Sequence, residues 1–372
     1  MTASHLATAD RSPVLSAAPE SPTAVPTAVP AVGAAPRPAS RRERPRVAVI
    51  GGGRNCEHEV SLATAASIRR ALDADRWEVL GLTIGRDGVW HRVTDATPGA
   101  GADAPLGEGP ADSLAAALTL LADCDLAFPA VHGPLGEDGT LAGLLELAGL
   151  PYVGAGVRGG ALAMDKWATK LVAVACGLSV APGRVVTAEE IDRLVWDGPV
   201  VVKPVAAGSS HGVTLVRAAD RLRPALDAAL ALDDRVLVEE VVQGREVDIA
   251  VLRRADGTLL TGPALEIGVP AGRLFDTGLK YEGAPDFRVP AELPPAALAS
   301  MERAARQLFA ALGCDGVARF DFFVTAEGRL VLNEVNTTPG MTEHSQVPLM
   351  FAAVGLPYPR LLDDLLAGAD RA

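Results

Sequence analysis

Four residues near the C-terminal end have the chemistry to hold a cation and an anion together: Arg319, Asp321, Glu334 and Asn336. They stand in ARFDFFVTAEGRLVLNEVN, where two β-rich runs, Ala318–Thr325 and Arg329–Asn336, flank the polar turn Ala326–Glu327–Gly328. Side chains two apart on a strand share a face, so Arg319 lies beside Asp321 and Glu334 beside Asn336. A hairpin folded about Glu327–Gly328 sets Asp321 across from Glu334. Hard oxygens of this kind suit Mg²⁺, which is usually held by one or two carboxylates while substrate phosphates complete its shell. The competing reading is an edge hairpin with a solvated charged face. The interleaved Phe320, Phe322, Val331 and Val335 oppose it, because both faces cannot be wet and charges on a buried sheet need partners.

Upstream elements have to bring an anion to that corner. Lys203 ends an apolar strand, and Ala206–Gly212, AAGSSHG, follows. A short Gly/Ser loop lets backbone N–H groups approach phosphate oxygens closely. No GxxxxGK[ST] is present, so the loop is not a P-loop, and alone it could be a simple strand connection. Together, a strand-end lysine, a Gly/Ser loop and a distal carboxylate hairpin describe a nucleotide held between two β layers. Lys166, in MDKWATK, is either a second phosphate contact or a snorkelling surface lysine. In LVEEVVQGRE, Val241 and Val242 could face a purine, with Glu239 and Glu246 accepting from an amino group or ribose hydroxyls; an ordinary hairpin with charged edges is the alternative.

At 372 residues the chain is too long for one ordinary core, and two or three domains are expected. The net charge of −12 argues against nucleic acid or an anionic membrane surface as the main partner. Cys56, Cys124, Cys176 and Cys314 are scattered with no CxxC, the usage of a reduced, cytoplasmic protein. No apolar run reaches the ~18 residues of a spanning helix. Residues 1–45, rich in Ala, Pro, Ser and Thr, have a disordered composition and lack the basic start and unbroken apolar run of a secretory signal.

The apolar run Arg46–Gly51, a glycine turn and a helical pattern over Val60–Leu72 make a Rossmann-like opening, though GGG does not match GxGxxG. Strands at Trp77–Ile84 and Leu126–Val131 alternate with helices at Ser113–Leu121 and Leu141–Ala148, which predicts a parallel α/β layer. Ligands should gather at its strand C-termini, where Glu57 and His132 sit. Further on, the pattern predicts helices over Gly159–Gly177, Ala188–Val195, Arg221–Leu230, Ala296–Leu312 and Pro357–Leu366. It predicts strands at Val185–Val186, Pro199–Val202, Arg235–Glu240, Glu246–Leu252 and Leu259–Glu266, the last interrupted by Pro263. Val269–Arg288 has no clear period and reads as a long functional loop.

Taken together, these motifs resemble one family, the D-alanine–D-alanine ligases of the ATP-grasp superfamily. The resemblance runs from about Arg46 to Leu366 and is carried by GGGRNCEHEVS, HGPLGEDGTLAGLLELAGLPYVGAG, MDK, KPVAAGSSHGV, the pair Lys280–Tyr281, RFDFF and NEVNTTPGMTEHS. It implies a fold of mixed α/β and α+β class: an N-terminal Rossmann-like parallel layer (46–155), then a two-subdomain ATP-grasp fold (156–220 and 221–372) with a mobile loop at 269–288. It implies Lys166, Lys203, Ser210 and Gly212 as phosphate contacts, and Glu239, Val242 and Glu246 as adenine and ribose contacts. Asp321, Glu334 and Asn336 match the ligands of two Mg²⁺ ions, for which Mn²⁺ may substitute. Glu57 would hold the ammonium of the first D-alanine, with His132 near its carboxylate. Ser209 and Tyr281, joined through hydrogen bonds to Glu57, would close the loop, with Lys280 and Gln346 also at the substrates. Arg319 and the Gly340 N–H would stabilise an oxyanion, and Ser345 would bind the second carboxylate.

The reaction implied is ATP-dependent joining of two D-alanines through an acyl phosphate, supplying peptidoglycan precursor, by a cytoplasmic homodimer. The alternatives are a paralogue joining D-alanine to D-serine or another amino acid, and a nucleotide-binding regulator on the same scaffold. Thr277, Ala207, His211 and Gln346 depart from the common pattern. Gln346 bears most on the second substrate, since a polar side chain there could favour a polar acceptor.

Overall fold

The computed structural model describes residues 42–93, 104–268 and 286–369. The first layer is a sheet ordered β4-β3-β2-β1-β5. Its strands are β1 (Arg46–Gly52), β2 (Glu78–Ile84), β3 (Trp90–Val93), β4 (Ala104–Pro105) and β5 (Leu126–Pro129), with helices α1 (His58–Ala71), α2 (Pro110–Leu121) and α3 (Thr140–Leu147). β1 pairs in parallel with β2 and β5, and it is apolar along almost its whole length because both of its faces are covered. The turn out of β1 needs glycine. A Cβ on Gly51 would stand 2.6 Å from the Ala65 Cβ, so only a bare backbone lets α1 pack this closely on its strand.

Next come α4 (Val157–Met164) and α5 (Lys166–Ala175), where the sequence predicts one helix over 159–177. The break is at Asp165, whose backbone leaves the helical region (ψ 100°) and whose carboxylate accepts from the Ala168 N–H at 2.8 Å. An N-cap outcompetes continuation here, and it makes Lys166 the first residue of a new helix. β6 (Ser179–Val180) joins the last sheet as an end strand. The second layer has the order β7-β10-β8-β9, from β7 (Gly183–Thr187), β8 (Val200–Pro204), β9 (Thr214–Val216) and β10 (Arg235–Glu240), backed by α6 (Leu222–Leu230). This layer runs past residue 220, since α6 and β10 belong to it. The helix expected over 188–195 is only a single 3₁₀ turn, Ile191–Arg193. Glu190 folds back to accept from the Thr187 N–H and hydroxyl, which ends β7 in a local turn instead.

The third sheet has the order β14-β13-β11-β15-β16-β6, with β12 also on β11. Its strands are β11 (Arg245–Arg253), β12 (Leu259–Thr261), β13 (Leu265–Gly268), β14 (Asp286–Arg288), β15 (Val317–Val324) and β16 (Leu330–Asn336). The strand expected over 259–266 is divided at Gly262–Pro263, where proline cannot donate to the ladder. The final three residues of the expected 269–288 loop are β14, paired with β13. Helix α7 (Pro295–Leu312) lays Met301, Ala305, Leu308, Phe309 and Leu312 against Phe320 and Phe322, and Gly313 ends it in the left-handed conformation (φ 74°). α8 (Gln346–Ala352) and α9 (Tyr358–Ala369) cover the opposite face and pack on Val47 and Val49 of the first layer. That shared core ties the first layer to the third. Among the described residues no helix is long and apolar enough to cross a membrane, and the four cysteines are free thiols.

Candidate active site

A cleft of about 1310 Å³ opens between the three layers. It exceeds the ~300–1,000 Å³ of a single-ligand pocket, which leaves space for more than one substrate. Its floor is the hairpin of β15 and β16. The register sets Arg319 opposite Asn336 and Asp321 opposite Glu334, as the alternation predicts, and a bulge follows at Asp321/Phe322. Arg319 grips Asp321 with two bonds, Nε to Oδ1 at 2.7 Å and Nη2 to Oδ2 at 2.8 Å. The Asn336 amide donates to the same carboxylate at 3.0 Å. Although burial works against it, the charges of Asp321 and Asp248 drive the Arg319 guanidinium further up, so it is a permanent cation.

The lysines arrive from the other side. Lys166, 7% exposed, donates to the Ala207 carbonyl at 2.6 Å and lies 3.4 Å from Glu334. Lys203 at the end of β8 stands 2.6 Å from Glu239 and donates to Asn333 Oδ1 at 3.1 Å. Glu239 is buried, and its second oxygen lies 2.7 Å from Lys170. Burial pushes the Glu239 carboxyl up, but the two lysines outweigh it and hold the group below its usual range. Burial brings Lys170 down to about 8, with Glu239 opposing. The roof between the lysines is the Gly208–Gly212 loop. Ser209 and Ser210 adopt positive φ (49° and 59°), a strained conformation for residues with a Cβ. Val242, Glu246, Ser210 and His211 line the same cleft.

The first-layer strand ends supply the far wall. Glu57 is 5% exposed, and Ser209 donates its hydroxyl to Oε1. Among the described residues Glu57 Oε2 has no partner. A Cβ on Gly208 would come within 1.9 Å of that oxygen, so glycine is what lets the loop close over it. His132 does not stand free. Its Nδ1 meets the Thr338 carbonyl and its Nε2 meets the Thr64 hydroxyl, both at 2.9 Å. A carbonyl can only accept, so Nδ1 carries the proton and Nε2 accepts from Thr64. Burial holds the ring below its ordinary pKa, so His132 contributes no cation to a carboxylate here. It braces the wall instead, together with Asn55, which donates to the His132 and Pro134 carbonyls at 2.8 and 2.7 Å.

Ser345 precedes α8 and turns its hydroxyl to Thr342, accepting from that N–H at 3.0 Å; Gly340 lies beside it on the cleft. Lys280 and Tyr281, with Thr277, lie outside the described residues.

The family model of the D-ala D-ala ligase N-terminus matches residues 46–155, and that of the D-ala D-ala ligase C-terminus matches residues 183–367. The chain belongs to the D-alanine–D-alanine ligase family. It is 43% identical to a D-alanine–D-alanine ligase of Mycobacterium sp. (strain KMS), over 87% of this chain and 95% of that one. It is 39% identical to the D-alanine–D-alanine ligase A of Mesorhizobium japonicum, over 88% and 98%. The solved VanG D-Ala:D-Ser ligase of Enterococcus faecalis superposes with a TM-score of 0.71 at 32% identity, covering 88% of this chain and all of that one. The mixed sheets have the ATP-grasp architecture of these ligases. Lys166 and Lys170 fall between the two matched segments, on α5.

As a member of this ligase family the chain implies a divalent cation beside ATP, and the hairpin fits one. Among the described residues no three His, Cys, Asp or Glu close into a cage. Mg²⁺ does not require a cage when phosphate completes its shell. Asp321 and Glu334, with Asn336 beside them, present hard donors at register-paired positions, and each carboxylate here faces a cationic side chain. Sequence reasoning missed three members of the site. Asp248 on β11 pairs in register with Asp321, and its place two residues after Glu246 was the available signal. Lys170 follows Lys166 by one helical turn. Glu137, half-buried on the cleft wall, has its carboxyl pushed up to about 8, chiefly by burial and then by the Glu57 charge.

Proposed function

We infer that the protein joins two D-alanines to D-alanyl-D-alanine at the expense of ATP, for peptidoglycan precursor synthesis. One observation carries this reading: Lys166 and Lys203 reach the Asp321–Glu334–Asn336 corner across a single cleft, with Lys166 3.4 Å from Glu334. Lys166, Lys203 and the Ser210–Gly212 backbone would take the phosphates, and Glu239, Val242 and Glu246 the adenosine. Asp321, Glu334 and Asn336 would hold two Mg²⁺ ions, with Mn²⁺ able to substitute. Bound there, the metal supplies charge neutralisation on the phosphates during transfer.

The rest is done by the chain itself. The unpartnered Glu57 Oε2 is suited to the ammonium of the first D-alanine. The carboxylate of that first D-alanine takes the γ-phosphate of ATP and ADP leaves; the amine of the second D-alanine, held through Ser345 and freed of its extra proton to solvent, then attacks the acyl carbon and expels phosphate. Arg319 and the Gly340 N–H would stabilise the oxyanion. The Ser209–Glu57 bond draws the phosphate loop onto the first layer and keeps water from the acyl phosphate. Lys280 and Tyr281 would complete that closure. The same reading carries a cytoplasmic homodimer.

The test is release of ADP and phosphate by purified protein, with D-alanine and Mg²⁺ both required, and the dipeptide read by mass spectrometry. No release with D-alanine, alongside turnover of a different amino acid, rejects the assignment. Sedimentation checks the dimer.

A further inference from the structure

Gln346 is the polar residue that could invite a polar second substrate. It opens α8 immediately after Ser345, lines the cleft and is 9% exposed. Its amide nitrogen, however, is bonded to Asp248 Oδ2 at 2.7 Å. Asp248 is 2% exposed and sits in the middle of the third sheet, opposite Asp321 on one side and Leu265 on the other. The same Asp248 oxygen lies 3.5 Å from Arg319 Nε. Arg319 is already engaged by Asp321. Asp248 therefore links the head of α8 to the arginine of the hairpin, through a bond between two buried groups.

We propose that Asp248 is a positioning residue that sets the second substrate by fixing the orientation of the Gln346 amide. The Asp248 bond takes one Nε2 hydrogen and fixes the plane of the amide, so for Gln346 to turn toward an incoming hydroxyl it must break a bond between two buried polar groups, which the low-dielectric interior makes costly. A hydroxyl entering this space meets an amide that cannot turn to suit it, and loses its water. A methyl group loses nothing. The pair thereby selects a small apolar side chain, D-alanine over D-serine, at the subsite beside Ser345. This deepens the ligase reading and rests on it.

The experiment is an acceptor competition. Wild type, Asp248→Asn, Asp248→Ala, Gln346→Met and the double variant Asp248→Ala/Gln346→Met receive D-alanine and D-serine together, with products quantified by mass spectrometry. Thermal melts and ATP KM are recorded alongside. Wild type should make D-alanyl-D-alanine in large excess. Asp248→Asn, whose amide oxygen can still accept from Gln346, should keep the product ratio. Asp248→Ala should raise the D-serine share about tenfold, the scale of one net hydrogen bond. The double variant should lose that gain, because the released amide is gone; general loosening of the pocket would leave it in place. Should Asp248→Ala not fold, Asp248→Ser, too short to reach Gln346, is read the same way. An unchanged ratio in folded Asp248→Ala, or a gain that persists in the double variant, overturns the inference and leaves the ligase reading intact. So does a wild type that takes D-serine as readily as D-alanine. A wild type that forms no D-alanine dipeptide sinks both.

Discussion

Lys203 Nζ and Glu239 Oε2 stand 2.6 Å apart inside the protein, and Lys170 closes on the other oxygen of the same carboxylate at 2.7 Å. One buried anion thus orders two buried cations, of which only Lys203 lines the cleft. Glu239→Gln leaves both lysines without their counter-charge, and breaking a buried pair in this way typically costs about 3–5 kcal/mol. Denaturant melts at neutral pH should show a loss of that order together with weaker ATP binding. A variant as stable as wild type would mean the lysines find other partners.

Glu334 faces Lys166 and pairs in register with Asp321. Glu334→Gln keeps the shape and removes a charge. Turnover should fall by orders of magnitude, and Mg²⁺ titrations of nucleotide binding should shift to higher concentration. Near-native kinetics would remove Glu334 from the metal set.

Ser209 is held in a left-handed backbone conformation while its hydroxyl bonds to Glu57. Ser209→Ala keeps the backbone demand and discards the bond. A bond to a charged group is worth roughly a tenfold change in affinity or more, so KM for D-alanine should rise about tenfold with the ATP KM nearly unchanged. A rise in the ATP KM alone would assign the serine to the nucleotide instead.

Glu137 supplies a pH test. Its carboxyl has an ordinary value of 4.5 and is raised to about 8 in the folded protein. Between those values the folded chain holds a proton that the unfolded chain has released. Stability from this group is therefore present at acid pH and is lost as the pH rises through the window. Glu137→Gln should flatten the stability–pH curve there, by at most about 1.4 kcal/mol per pH unit. Parallel curves for the two proteins between about pH 5 and 8 would show that the carboxyl is ionised throughout.

Much of the site could be read from strand alternation. Arg319, Asp321, Glu334 and Asn336 meet because residues two apart share a face, and the turn at Gly328 (φ 78°) together with the bulge between Asp321 and Phe322 fixes which positions pair. The same rule reaches Asp248 from Glu246, but only for a reader who knows that β11 is the neighbour of β15, which is a tertiary fact. Helix ends were harder. Asp165 looks like any polar residue until its carboxylate is seen capping Ala168. The pattern names no helix at 346–352, where α8 carries Pro348 in its first turn, a position at which proline costs no intrahelical bond. His132 illustrates a different gap. Its position was legible, but its two hydrogen-bond partners, Thr64 and Thr338, come from segments far away in the chain.

On β15 the residues that meet the ligands and the residues that fill the interior alternate: Arg319 and Asp321 line the cleft, while Ala318 and Phe320 are fully buried. A slip of β15 by one residue in the sheet would send the charges inward and the phenyl ring outward in one stroke. The register of this one strand therefore serves catalysis and folding together, and the bulge between Asp321 and Phe322 is part of what sets it.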